Sequence, residues 1–308
     1  MLEIDEAIRR VTFRLPLGID HVHCYLLRSP TGGWTLVDTG LGVDDPEAVW
    51  APVLAELDAP VERVVITHFH PDHVGGARDA AEVTGAPVLE GREDREQALR
   101  AWGPGRSSLR LAEYFVAHGM PREHVTEAMG EASAVAARGH LANDPALLEA
   151  GDEVDGWRVE LLRGHADGHI ALLRDGVLIA GDAILGSITP AIGLFPAARP
   201  DPLGDYLVSL GRIVELAPRL ALAGHGPPID DPAGRAREIL DHHRERLDRT
   251  AAALGPEPRN AYEVSLSLWG QVLSPSQRRF ALVESLAHLE RLVLEGRAGR
   301  RDGGYVPS

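Results

Sequence analysis

The stretch Thr67-His68-Phe69-His70-Pro71-Asp72-His73-Val74-Gly75-Gly76 decides how this chain is read. Four metal-capable side chains, His68, His70, Asp72 and His73, fall within six residues. They follow the apolar run Val61 to Thr67, which reads as a buried strand. Imidazole and carboxylate donors together suit zinc, iron or manganese. The spacing lets one short loop serve two ions, with side chains turned to either side. A His-rich surface tract is the competing reading, but such tracts lack the Asp, the Gly-Gly turn and the strand before them.

Three more metal-capable residues each follow an apolar strand beside a Gly: His165 after Val159-Glu160-Leu161-Leu162, Asp182 after Val177 to Gly181, and His225 after Leu220 to Gly224. Each alone is weak, since Asp or His after a strand is common in turns. Strand ends line one rim of a sheet, so distant ligands can converge there. Five His and two Asp are about what two ions sharing one carboxylate and a water require. Paired ions ~3.5–4 Å apart hold a hydroxide at neutral pH.

The series His68-x-His70-x-Asp72-His73, Gly164-His165-Ala166-Asp167-Gly168-His169, Gly181-Asp182 and Gly224-His225 resembles the metallo-β-lactamase superfamily over residues 8 to about 230. The resemblance implies an α/β (α+β) fold, an αββα sandwich with the site on the rim between two mixed sheets. It implies that His68, His70 and His165 hold one divalent ion, that Asp72, His73 and His225 hold the other, and that Asp182 bridges them. Zinc is the expected metal, with iron or manganese as substitutes. Ala166 stands where the family usually has Thr. His169 is then expected to pack beside the ligands, and Asp38, in Asp38-Thr39-Gly40, to orient them by hydrogen bonding.

Residues 8–40 read as β structure, 46–57 as a helix, and Gly76 to Thr84 as another with Gly85 as its cap. Residues 92–150 are charged, Ala-rich and helix-favouring, with breaks at Gly103-Pro104-Gly105, Gly119 to Pro121 and Gly139. They read as a helical insertion, a lid or substrate wall, in which His118, His124 and His140 pack or face solvent. Asp175-Gly176 marks a hairpin turn. From Pro232 onward the pattern is helical. Residues 232–298 resemble the small winged-helix tail of β-lactamase-like hydrolases, with Leu282, Leu286, Leu289 and Val293 as core and His242, His243 and His288 as structural residues. The organisation expected is therefore a catalytic domain over 1–231, a winged-helix-like domain over 232–298 and a frayed tail over 299–308.

The chain has 308 residues and 44% apolar content, enough for one large domain plus a small one. No apolar run approaches the ~20 residues of a membrane span. The N-terminus is acidic and lacks a signal-peptide pattern, and the single Cys24 cannot form an internal disulfide, so a cytoplasmic location is expected. Cys24 lies in an apolar run and reads as a packed thiol. A net charge of −15 repels phosphate backbones. Arg235, Arg237, Arg244, Arg246 and Arg249 are interleaved with acids and read as a solvated helix face. A small-molecule substrate is therefore expected rather than a nucleic acid or membrane; a homodimer is left open.

The function these features imply is a dinuclear metal hydrolase in which a bridging hydroxide cleaves a thioester, ester or lactone, as a glyoxalase II-type enzyme does, with Asp72 also receiving a proton. A phosphodiesterase or endoribonuclease is the alternative, suggested by the tail. A β-lactamase fits less well, because lactamases of the family characteristically lack an Asp in the bridging slot, which Asp182 fills.

Overall fold

Alternation of side chains along the strands sets the layers of this protein. The computed structural model describes residues 1–16, 18–103 and 108–308. The first sheet runs β1 (Leu2–Asp5), β2 (Ile8–Arg14), β3 (His21–Arg28), β4 (Trp34–Val37), β5 (Val61–Ile66), β6 (Val88–Gly91) and β7 (Ala146–Leu148), in that spatial order. Its first four strands are antiparallel and β4 to β7 are parallel. The second sheet holds β8 (Glu153–Val154), β9 (Trp157–Leu161), β10 (Ile170–Arg174), β11 (Val177–Gly181) and β12 (Leu220–Ala223), with only β11 and β12 parallel.

Tyr25, Leu27, Val37 and Val65 point from the first sheet into a shared core with Val159, Leu172, Ile179 and Leu222 of the second. Their neighbours point the other way. Cys24, Leu26, Leu36, Val64 and Ile66 pack with Trp50 of α1 (Pro46–Ala55) and Ala77 and Ala80 of α3 (Ala77–Thr84); the four-residue α2 (Pro71–Val74) lies between these helices in sequence. Ala171, Leu178, Ala180 and Ala221 pack with Leu203, Tyr206 and Leu210 of α7 (Pro202–Leu216) and with Ala236 and Ile239 of α8 (Pro232–Ala252). Both faces of both sheets are thus covered, which is why these strands read as continuous apolar runs rather than alternating ones. The result is the αββα sandwich expected. Cys24 is fully buried, and burial pushes its thiol pKa up.

Residues 92–150 hold three helices, α4 (Arg92–Trp102), α5 (Ser108–Ala117) and α6 (Arg122–Ala136), and then return to the first sheet as β7. Pro104 and Gly105 of the expected break lie outside the described residues. The C-terminal part comprises α8, α9 (Ala261–Trp269), α10 (Pro275–Leu294) and a hairpin of β13 (Ala298–Arg301) with β14 (Gly304–Pro307). Asn260 and Ser274 cap α9 and α10 with reciprocal capping boxes. Leu282, Leu286 and Leu289 are buried and Val293 packs beside them. His243 and His288 are buried too, and their ring nitrogens lie 3.3 Å apart.

The tail corrects the sequence reading: 299–308 is not frayed. Asp302 and Gly303, with φ of 48° and 77°, close a two-residue turn of the kind that matches strand twist. Tyr305 is buried and donates to Glu290 of α10, and its backbone pairs with Arg259. Arg235 is a second correction. Rather than facing solvent, its guanidinium turns inward onto backbone carbonyls. Among the described residues no helix is long and apolar enough to cross a membrane.

Candidate metal centre

β4 and β5 end side by side, as do β11 and β12, and these ends meet on one rim. Backbone hydrogen bonds from His23 to Gly224 (2.7 Å) and from Ile170 to Thr67 (2.9 Å) join the two sheets there. His68 follows β5, His70 caps α2, Asp72 and His73 lie on α2, His165 follows β9, Asp182 follows β11 and His225 follows β12. The structure brings all seven residues together, in three overlapping triads: His68–His70–His165, His68–His73–Asp182 and Asp72–His73–His225. Ligand atoms within each triad lie within 4.8 Å of one another.

The spacing suits cations. His73 Nε2 lies 3.6 Å from Asp182 Oδ1, His165 Nε2 lies 3.6 Å from Asp182 Oδ2, and His225 Nε2 lies 3.3 Å from Asp182 Oδ2 and 3.4 Å from Asp72 Oδ2. Two donors on one tetrahedral ion, each about 2.0–2.1 Å from it, are themselves about 3.3 Å apart. His73 Nε2 and Asp182 Oδ1 are buried and have no hydrogen-bond partner, an arrangement that is costly unless something else satisfies both. Gly224 is required here: a Cβ would sit 2.5 Å from Asp182 Oδ1 and 2.5 Å from His73 Cε1.

Four of the five imidazoles are oriented from behind; His70 instead turns Nδ1 to His68 Nε2 (3.1 Å) and His165 Nε2 (2.8 Å). Thr67 Oγ1–H donates to Asp38 Oδ2 (2.8 Å), so His68 Nδ1–H donates to Thr67 Oγ1 (3.0 Å) and leaves Nε2 bare. His73 Nδ1–H donates to Asp38 Oδ2 (2.8 Å), His165 Nδ1–H to Ala191 O (2.9 Å) and His225 Nδ1–H to His21 O (2.6 Å). This is how proteins fix the tautomer and aim of metal-binding histidines. His169 Nε2 accepts from the Asp182 backbone N–H (3.0 Å), and its ring stacks on that of His68.

Residues 17–225 match the metallo-beta-lactamase superfamily, and residues 247–306 match the metallo-beta-lactamase-like C-terminal domain. The chain belongs to the metallo-β-lactamase superfamily. It is 27% identical over 302 residues to the probable metallo-hydrolase YqjP of Bacillus subtilis, covering 94% of this chain and 93% of the relative. It superimposes with a TM-score of 0.86 on the metallo-beta-lactamase family protein TTHA1429 of Thermus thermophilus, at 36% identity, covering 99% of this chain and all of that one (100%). It is also 23% identical over 284 residues to an atrochrysone carboxyl ACP thioesterase of Claviceps purpurea, covering 86% of this chain and 75% of the thioesterase. The protein is a hydrolase of this superfamily.

Electrostatics divide the histidines of this superfamily member. Burial pushes the His68, His70 and His165 pKa values down, and neighbouring imidazoles add to that at His68 and His70, so these rings are neutral and ready to ligate. Burial acts the same way on His73, but Asp182, Asp38 and Asp72 outweigh it and hold the pKa at about 9. Asp182 and Asp72 likewise outweigh burial at His225 and raise it to about 11. Burial acts to raise the Asp182 carboxyl, and the neighbouring His73 and His225 more than reverse this and hold it below its ordinary range. Protons on His73 and His225 are therefore favoured at pH 7. A cation must displace them. Zinc binding is expected to release protons at pH 7 and to tighten as pH rises towards 9. Calorimetry in buffers of differing ionisation enthalpy checks this; zinc uptake without proton release would refute it.

The insertion meets this metallo-β-lactamase centre directly. Ala98 of α4 packs against Phe69, which lies between His68 and His70, and against Ala166, next to His165. Gln97 Oε1 accepts from the Asp167 backbone N–H (2.8 Å), and Trp102 Nε1–H donates to Phe69 O (2.7 Å). α4 therefore buttresses two loops of the candidate centre. His140 Nδ1 lies 2.8 Å from Asp79, the His118 ring packs edge-on against Tyr114 with centroids 4.4 Å apart, and His124 is bonded to the Tyr262 hydroxyl. Ala98→Leu is expected to overpack this contact, costing about 1–3 kcal/mol, and to lower metal content. Metal analysis alongside a melting curve checks it, and unchanged content would leave α4 no part in the centre.

Two residues near the centre escaped the sequence reading. His21 Nε2 accepts from the Gly226 N–H (3.1 Å), and His23 Nε2–H donates to Gly226 O (2.9 Å). Together they clamp the turn carrying His225. Burial lowers the His23 pKa to about 4, so it clamps as a neutral ring. Their signal was the spacing of two histidines on one face of β3 (period two), visible only once β3 is known to end at this rim.

Proposed function

We propose that this hydrolase holds two divalent cations and cleaves a thioester, ester or lactone of a small molecule. The observation that carries the reading is the pair of buried, partnerless atoms, His73 Nε2 and Asp182 Oδ1, facing each other amid five further donors. His68, His70 and His165 would hold one ion and Asp72, His73 and His225 the other, with Asp182 between them. Zinc suits the donors, with iron or manganese as alternatives. Such ions supply Lewis acidity and an activated water at neutral pH.

The chain's own residues do the rest. Asp38 and the Ala191 and His21 carbonyls hold the Nδ1 protons of His73, His165 and His225 and aim their Nε2 atoms. Asp72 is the proton acceptor proposed: its side chain is 16% exposed against 7% for Asp182, so water and substrate reach it. Asp182 is deeper and serves as the shared ligand. A thioesterase among the relatives supports acyl chemistry. Phosphodiester cleavage is the second reading, favoured by the C-terminal domain but opposed by the net charge of −15. A panel of a thioester, a lactone, a β-lactam, a bis-phosphodiester and RNA, with zinc-loaded protein, tests the choice. Turnover confined to RNA or phosphodiester, with steep salt dependence, would replace the acyl reading.

A further inference from the structure

We propose that α5, α8 and α10 position the metal ligand His165, acting through the segment 183–201. The inference rests on the two-cation reading above.

Segment 183–201 leaves Asp182 and reaches α7 without helix or strand. Long segments of this kind in a folded domain are usually functional or held by specific contacts. Here the contacts come from elements outside the two sheets. On α8, Arg235 Nε–H donates to Leu185 O (2.8 Å) and its Nη2–H donates to Ile188 O (3.0 Å), from a side chain only 19% exposed. On α10, Val283 O accepts from the Leu194 N–H (3.0 Å). On α5, Tyr114 Oη–H donates to Leu194 O (2.9 Å). Ile192 is fully buried among residues of α7, α8 and α10.

Ala191 lies between these anchors, three residues after Ile188 and three before Leu194. Its carbonyl accepts from His165 Nδ1–H. The anchors therefore set where that carbonyl stands, and the carbonyl sets which nitrogen of His165 is bare and where it points. His73 and His225 depend on other supports, Asp38 at the end of β4 and His21 in β3, which belong to the first sheet. Loss of these anchors should thus affect one ion and spare the other. Arg235 and Tyr114 are positioning residues that touch neither ion nor substrate.

The experiment measures zinc affinity of the full chain by competition with a chelator, in Arg235→Ala and Tyr114→Phe, each also placed on His165→Ala and His225→Ala backgrounds. Wild type should take up two zinc ions; fewer would sink the two-cation reading itself. Each variant should weaken one zinc about 10–100-fold, the range for supports of this kind, and leave the other within about twofold. The effect should persist on the His225→Ala background and vanish on the His165→Ala background. Wild-type affinity in both variants, or equal weakening of both ions, or an effect that survives His165→Ala, would overturn the proposal. If Arg235→Ala fails to fold, Tyr114→Phe, which removes one hydroxyl, decides the matter alone.

Discussion

Asp182→Ala is expected to abolish hydrolysis and to empty both cation positions. Its carboxylate is the group shared by the two halves of the centre, 3.6 Å from His165 on one side and 3.3 Å from His225 on the other. His68→Ala should also abolish turnover, but with a different signature. His68 Nε2 lies 3.1 Å from His70 Nδ1, within the first triad, so one ion should be lost and the other retained more firmly. In each case kcat/KM should fall at least about 10³-fold, equivalent to about 4 kcal/mol of transition-state stabilisation. The fold should survive, because the inter-sheet core of Tyr25, Leu27, Val65, Leu172 and Leu222 does not include the rim. Circular dichroism, metal analysis and turnover on the substrate found by the panel separate these outcomes. Near-wild-type turnover in either variant would sink the mechanism.

The cluster was legible in the sequence because its members are short-range events: a dense His/Asp loop and three polar residues placed after apolar strands. A strand end has a defined place on a rim, so the local pattern carried tertiary information. The supports were less legible, for a physical reason. Ala191 and His21 orient ligands through backbone carbonyls, and a carbonyl has no residue type to read. Arg235 looked like one member of a charged helix face, since nothing in its neighbours reports that Leu185 and Ile188 lie beneath it. Asp38 was legible, because a carboxylate after a strand in an Asp-Thr-Gly turn has few other uses. The misread tail held a usable signal. Asp302-Gly303 is the same turn chemistry as Asp175-Gly176, and both pairs have positive φ at each residue. Its strands were obscured by Gly and Arg, and their stability comes from Tyr305 packing onto α10, which only the fold supplies. β7 has three residues and no periodicity long enough to detect.

Asp38→Asn should be the most informative change outside the ligands themselves. Asp38 has φ of 62°, a left-handed conformation that Asn adopts readily and Ala does not, so the amide leaves the backbone unstrained. The new side chain can still accept the Thr67 backbone N–H through Oδ1, as Asp38 does at 2.8 Å. Its Nδ2 then replaces the oxygen that takes hydrogen bonds from both His73 Nδ1 and Thr67 Oγ1. Facing a donor, His73 must turn to the tautomer that accepts at Nδ1 and carries its proton on Nε2. That is the atom left without a partner and aimed at the cations. Thr67 Oγ1 loses its 2.8 Å acceptor and keeps only the longer 3.1 Å bond to Oδ1, so the support behind His68 slackens as well. One substitution thus spoils a ligand of each ion. Zinc affinity at both positions should drop about 10–100-fold, with a larger loss in kcat, since the tautomer is wrong even when zinc is present in excess. Thr67→Val removes only the His68 arm and should weaken one ion. Asp38→Ala adds about 1–2 kcal/mol of backbone strain and leaves the buried Thr67 and His73 donors unpaired, so it should lower the melting temperature as well. Equal zinc affinity in Asp38→Asn and wild type would show that the histidines hold their tautomers without the carboxylate behind them.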